Sequence, residues 1–256
     1  MRWVRFTADT VTEYGIVEDT LIRAVDGSPF SAYEVTDRHY PLADVTLEVP
    51  VVPGTFYAVG FNYLAHVREV GGSLDNVPAK PDVGYRAVNA LIAHEEPVVI
   101  PGDAEVVHFE GELVAVIGRQ VKKVGEHEAL GCVLGYTIGN DVSERGWQQK
   151  DRTLWRAKNA DTFKPMGPWI ETDVDLPSLE TIVRVNGEEQ SRFRTNDMLF
   201  GVAAYISTIS QYITLYPGDI VWMGTDGTSP NIKVGDTVEV EISGVGVLRN
   251  PFVAET

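Results

Sequence analysis

The sequence has a single cysteine among 256 residues, Cys132, so no disulfide can form within the chain and a reducing compartment is expected. That cysteine lies in Leu130-Gly131-Cys132-Val133-Leu134, an apolar setting that predicts a packed thiol rather than a nucleophile. No apolar run approaches the ~18 residues of a membrane span. Met1-Arg2-Trp3-Val4-Arg5-Phe6 also lacks the long apolar stretch of a secretory leader, and a cytoplasmic protein without membrane contact is expected. Cationic residues are scarce, 21 Lys and Arg against 37 Asp and Glu, for a net charge of −16. Such a field repels polyanions and argues against a nucleic-acid partner. An acidic substrate would have to be drawn by local cations, so each Arg or Lys near a candidate site carries information.

What is present suits one large core with a small appendage, since 44% of residues are hydrophobic and 23% charged. Trp3-Val4-Arg5-Phe6, Glu13 to Val17 and Thr20 to Val25 read as short strands, the last ending at an Asp26-Gly27 turn. Residues 1–50 are expected to form a small N-terminal β-domain in which His39 is a surface histidine. The proline- and glycine-bearing segment Leu47 to Gly54 would connect it to a main body over 51–256.

Within the main body the informative stretch is His108-Phe109-Glu110-Gly111-Glu112-Leu113-Val114-Ala115-Val116-Ile117, which has the residue types of a strand. Side chains alternate faces along a strand, so Glu110 and Glu112 share a side with Val114 and Val116, where the pattern says core. Two buried carboxylates repel and lose hydration unless a cation lies between them. Acid-only ligation favours a hard ion, Mg²⁺ with Mn²⁺ or Ca²⁺ as alternatives, over Zn²⁺. The plainer alternative is a Glu-x-Glu pair on a solvent face. A second segment, Gly135 to Gln148, weighs against that alternative. A β-type run ends at Asn140-Asp141, and Asp141 can cap a helix on which Asp141, Arg145 and Gln148 share a face. They could supply a third ligand, a carboxylate anchor and an orienting amide, or only a cap and an ordinary Asp–Arg pair. His108 reads as a hydrogen-bonded histidine and His127 as exposed.

Upstream, Thr55 to Val59 reads as a strand, Asn62 as the cap of a short helix, and His66 and Glu69 as neighbours one turn apart on it. Such a pair is a potential general base that activates water, or a surface salt bridge. Residues 71–86 lack periodicity and could be a mobile flap. Arg156 to Pro168 reads as a loop with two lysines, Lys158 and Lys164. Asn186-Gly187 marks a hairpin, a helix is expected near Asp197 to Ile206, and Glu239 and Glu241 alternate with Val238, Val240 and Ile242 on the solvent face of a strand.

Taken together, Gly60-Phe61-Asn62-Tyr63 with His66 and Glu69, Glu110-Gly111-Glu112-Leu113, Asn140-Asp141-Val142-Ser143, Lys158 before Asp161-Thr162-Phe163, Pro165-Met166-Gly167-Pro168, Pro217-Gly218-Asp219-Ile220 and Gly224-Thr225 make the chain resemble the fumarylacetoacetate hydrolase family over roughly Tyr57 to Phe252. The resemblance implies a mainly β fold with α+β elements, a mixed β-roll or β-sandwich, commonly a homodimer. It implies metal ligands at Glu110, Glu112 and Asp141, a catalytic set of His66, Glu69 and Lys158, and substrate contacts at Arg145, Gln148 and Thr225. The implied activity is metal-dependent hydrolysis of a carbon–carbon bond in a small β-diketo or 2-oxo acid of the acylpyruvate or fumarylacetoacetate kind, through an enolate. Isomerisation or decarboxylation of 2-hydroxy-dienoates and oxo-acids in aromatic catabolism is the alternative, and non-catalytic carboxylate binding a further one. Three departures bear on the substrate: Gly146 where Asp is frequent, Asp226-Gly227 after Gly224-Thr225 where Pro is common, and Tyr85-Arg86-Ala87 in place of a Lys-Pro.

Overall fold

The computed structural model describes residues 1–69 and 77–256, without the side chains of His66 and Glu69. The N-terminal strands are β1 (Arg2–Ala8), β2 (Val11–Glu18), β3 (Leu21–Gly27), β4 (Tyr33–Pro41) and β5 (Thr46–Leu47). Then follow β6 (Phe56–Val59), α1 (Leu64–Glu69), β7 (Val83–Tyr85), β8 (Leu91–Ile92), β9 (Val98–Ile100), β10 (Val107–His108), β11 (Gly111–Ile117), α2 (Glu126–Ala129) and β12 (Val133–Asn140). The rest comprises β13 (Ser143–Glu144), α3 (Arg145–Gln148), β14 (Lys164–Glu171), β15 (Glu180–Val185), β16 (Glu188–Arg194), α4 (Val202–Tyr212), β17 (Ile220–Trp222), β18 (Thr237–Ile242) and β19 (Gly246–Ala254).

The chain is mostly β. Among the described residues one large sheet runs β4-β3-β2-β1-β14-β12-β11-β17-β6-β7, with β5 beside β1 and β8 beside β14, and a second runs β16-β15-β18-β19-β9. The N-terminal strands join the large sheet where β1 pairs antiparallel with β14. β11 lies near its middle and is buried along its whole length, which is why it reads as a continuous apolar run. Its alternating side chains feed two cores. Leu113, Ala115 and Ile117 pack with α4 and the smaller sheet, for example Ile206, Val183 and Val240. Val114 and Val116 pack on the opposite side with Phe56, Met166 and Trp222. Trp222 is fully buried, and its ring lies so close over β12 that a Cβ on Gly139 would sit 2.6 Å from it.

Several expectations hold: the first three strands, the Asn186-Gly187 hairpin with both residues at positive φ, and β18, whose valines and isoleucine are buried while its glutamates are half-buried. Cys132 is buried and unpaired by any disulfide. Others are corrected. The strand expected from His108 is broken at Phe109-Glu110, because β10 leaves the large sheet to pair with β13. The helix expected near Asp197 starts only at Val202, with Gly201 as its extended N-cap. Asn62 spends its amide on Phe200 and Met223, tying the turn before α1 to β17's exit. The aperiodic stretch 71–86 contains β7, paired with β6, while residues 71–76 of that stretch lie outside the described residues. No helix among the described residues is long and apolar enough to cross a membrane.

Candidate metal centre

The antiparallel register of β11 against β12 sets Gly111 opposite Asn140 and Glu112 opposite Gly139, so the acids of one strand's start meet the acid just past the other's end. Backbone and side-chain bonds secure the junction: Asp141 N donates to Glu110 O at 2.8 Å, and Glu110 N to Asn140 Oδ1 at 3.0 Å. Glu112, 1% exposed, accepts from Gly224 N at 2.8 Å, a donor aimed inward by Gly224's positive φ. One oxygen from each of Glu110, Glu112 and Asp141 lies within 4.8 Å of the others, and all three residues are buried.

Asp141 is not the cap of α3, as its sequence position suggests. β13 intervenes, and Glu144 is the cap, accepting from Trp147 N. The i, i+4, i+7 face of Asp141, Arg145 and Gln148 therefore does not exist: Arg145 and Gln148 share α3, while Asp141 precedes β13 and lies outside that helix. Glu144 also accepts from the backbone N–H groups of Glu105 and Val106, which fixes the start of the helix that carries Arg145. Arg145 Nη1 reaches Glu110 Oε1 at 2.8 Å and Gln148 Oε1 at 2.8 Å, while its Nε donates to His108 Nδ1 at 3.2 Å. His108 is thus the hydrogen-bonded histidine expected.

Lys158 Nζ bridges Glu110 Oε2 and Asp141 Oδ2, the latter at 3.0 Å. Two cations that sequence reasoning did not place here complete the ring. Arg86 Nη2 lies 2.9 Å from Asp141 Oδ2, and Lys164 Nζ lies 2.6 Å from Asp141 Oδ1. The only local signals were a cation in the segment before the metal strand and a lysine set between Phe163 and Pro165-Met166. Thr225 and Gln148 line the same cavity as Arg86, Glu110, Glu112 and Lys158, with Phe61 and Leu154 as apolar walls. The side chains of His66 and Glu69 lie outside the described residues; only their helix, α1, is described.

The two outer acids have opposite electrostatics. Burial opposes ionisation of Asp141, but Arg86, Lys158 and Lys164 together outweigh it and hold the carboxyl well below its usual range. Glu112 is raised well above its usual range by burial, reinforced by the charges of Asp141 and Glu110; Lys158 and the Gly224 N–H offset only part of this. A buried carboxyl in that condition lacks a cation. The donor set, oxygen only and convergent, fits a hard divalent ion such as Mn²⁺ or Mg²⁺. Loading with Mn²⁺ should therefore expel a proton from Glu112, and affinity should rise with pH. Calorimetric titration in two buffers of different ionisation enthalpy measures this; equal heats in both would mean that Glu112 is already ionised.

The model of the fumarylacetoacetate (FAA) hydrolase C-terminal family matches residues 55–253, and that of the Rv2993c-like N-terminal family matches residues 1–50. Protein Rv2993c of Mycobacterium tuberculosis is 42% identical over 244 residues, covering 94% of this chain and 91% of that protein. The crystal structure of 5-carboxymethyl-2-hydroxymuconate delta-isomerase from Mycobacterium smegmatis superimposes with a TM-score of 0.91 at 37% identity, covering both chains in full. Maleylpyruvate hydrolase from Sphingobium sp. SYK-6, solved with manganese(II) and pyruvate, superimposes with a TM-score of 0.81 at 26% identity, again over both whole chains. Relatives of this chain thus include hydrolases and isomerases, and also decarboxylases and tautomerases. The match over residues 55–253 spans most of the chain and includes the three acids and Lys158, and the chain belongs to the fumarylacetoacetate hydrolase family.

Proposed function

We propose that this protein is a metal-dependent hydrolase that cleaves a carbon–carbon bond in a small β-diketo or 2-oxo acid of the acylpyruvate kind. The observation that carries the reading is the convergence of Glu110, Glu112 and Asp141 beside Lys158 in a cavity also lined by Gln148 and Thr225. Glu110, Glu112 and Asp141 would hold the ion, Mg²⁺ or Mn²⁺. When bound it supplies Lewis acidity to adjacent carbonyl and carboxylate oxygens.

The chain's own groups do the rest. In this reading His66 and Glu69, neighbours in sequence on α1, are the pair that would remove a proton from water, and the hydroxide oxygen adds to the distal carbonyl carbon. The carbon–carbon bond then breaks, its electron pair moving toward the 2-oxo group, and the released carbon takes up the proton. Lys158 places a positive charge beside the oxygen that becomes negative. Arg145 and Gln148 would orient the substrate's second polar end, and Thr225 donates a hydroxyl hydrogen bond. The working unit is proposed to be a cytoplasmic homodimer.

Isomerisation or decarboxylation of a 2-hydroxy-dienoate or oxo-acid is the competing reading, favoured by one observation: the isomerase from M. smegmatis is more similar in sequence than the maleylpyruvate hydrolase. Incubating Mn²⁺-loaded protein with an acylpyruvate, oxaloacetate and a 2-hydroxy-dienoate, with products identified by mass spectrometry, separates the two. Hydrolysis predicts two acid fragments from the acylpyruvate. Carbon dioxide or a double-bond isomer without acid fragments overturns it.

A further inference from the structure

Lys164 opens β14, and its side chain has no exposed surface. An ammonium has three N–H donors, and here each has a partner: Asp141 Oδ1 at 2.6 Å, Val142 O at 2.9 Å and Phe163 O at 2.8 Å. Two of the three are backbone carbonyls, and the segments that bear them are laced together by Val142 N donating to Phe163 O at 3.1 Å. Lys164 cannot turn away from Asp141 without abandoning both carbonyls and leaving a buried charge unpaired.

Arg86 and Lys158 differ. Both line the cavity and both reach Asp141 Oδ2, at 2.9 Å and 3.0 Å. Among the described residues the side-chain nitrogen of Lys158 bonds only to the two carboxylates, and Arg86 makes one bond to a backbone carbonyl, from Nη1 to Tyr85 O at 3.1 Å. The two oxygens of Asp141 therefore have separate fates. Oδ2 is held by Arg86 and Lys158, which line the cavity and can yield to an incoming ion, whereas Oδ1, approached by Arg86 Nε only at 3.4 Å, is held most closely by Lys164, which cannot.

We propose that Lys164 is a positioning residue that makes Asp141 a one-oxygen ligand and thereby sets the metal preference of the centre. This rests on the metal reading above. Ca²⁺ takes about 6–8 oxygens and readily uses both oxygens of a carboxylate, whereas Mg²⁺ requires octahedral geometry with single-oxygen ligands. Withholding Oδ1 removes the bidentate mode at Asp141 and biases the centre against Ca²⁺. The fixed ammonium also weakens affinity for any divalent ion by charge repulsion.

The test is direct titration of the full chain with Mn²⁺ alone and with Ca²⁺ alone, by calorimetry, for wild type and Lys164→Met. Methionine keeps the length and the packing but cannot donate. Both affinities are expected to rise in the variant, and the Ca²⁺ to Mn²⁺ affinity ratio to increase about tenfold as Asp141 becomes free to bind through both oxygens. An unchanged ratio in a folded variant overturns the proposal. Should Lys164→Met fail to fold, wild-type crystals grown with Ca²⁺ decide: Asp141 bound through Oδ2 alone with Nζ still on Oδ1 supports it, and both oxygens on Ca²⁺ overturns it. Wild-type protein that binds neither ion overturns the metal reading itself, a result distinct from a bound ion with an unaltered ratio.

Discussion

Asp141→Ala should abolish divalent-ion binding and, independently, cost the fold about 3–5 kcal/mol, because removing one partner of a buried ion pair leaves its counter-charge unbalanced. Here three cations depend on the same carboxylate. Lys164 is fully buried and has no other carboxylate partner among its contacts, and Arg86 and Lys158 are nearly as enclosed. Sequence reasoning treats Glu110 and Asp141 as equivalent ligands, so that either alanine variant loses metal and activity alike. The structure separates them: Glu110 balances Lys158 and Arg145, and Lys158 would still have Asp141 if Glu110 were removed. Urea denaturation of the metal-free variants, alongside Mn²⁺ titration, should show Asp141→Ala as much the less stable. A variant as stable as wild type would mean that the cations have solvent within reach.

Trp222→Ala should cost about 3–5 kcal/mol, the range for truncating a buried aromatic to alanine. The indole fills the space between β17 and β12, with the Phe56 ring 4.9 Å away and Gly139 directly beneath. The cavity left behind would open under the strand that ends at Asn140-Asp141 and beside the Met223-Gly224 turn whose N–H holds Glu112. Mn²⁺ affinity should therefore fall with stability, although Trp222 touches none of the three ligands by a hydrogen bond. Stability loss with undiminished affinity would show that the ligand frame does not lean on this packing.

What could be read from the sequence and what could not divide along the range of the interactions. Short-period signals survive: the alternation of Val238, Val240 and Ile242, the Asn186-Gly187 turn, and the buried run of β11. The pairing of Glu110 with Glu112 was legible from their two-residue spacing, although Glu110 lies just ahead of β11 rather than on it. Asp141 was found for the wrong reason, since a helical spacing to Arg145 suggested a shared face where β13 in fact intervenes. Arg86 is 55 residues from Asp141, and no local pattern marks which of several cations will become its counterion. Glu144 was unremarked for the same reason, its backbone partners Glu105 and Val106 lying on a distant turn. The His66 and Glu69 pair rests on sequence spacing alone.

The strand order carries a consequence for how the protein is made. Glu112 is held by Gly224, 112 residues downstream, and β11 finds one of its two neighbours only when β17 arrives; β9 likewise waits for β19 at the far end of the chain. Pairings of such separation fold slowly and late. During synthesis the acids emerge well before the lysines and the Gly224 turn that will enclose them, so a nascent chain that stops short of Gly224 lacks the backbone donor that holds Glu112.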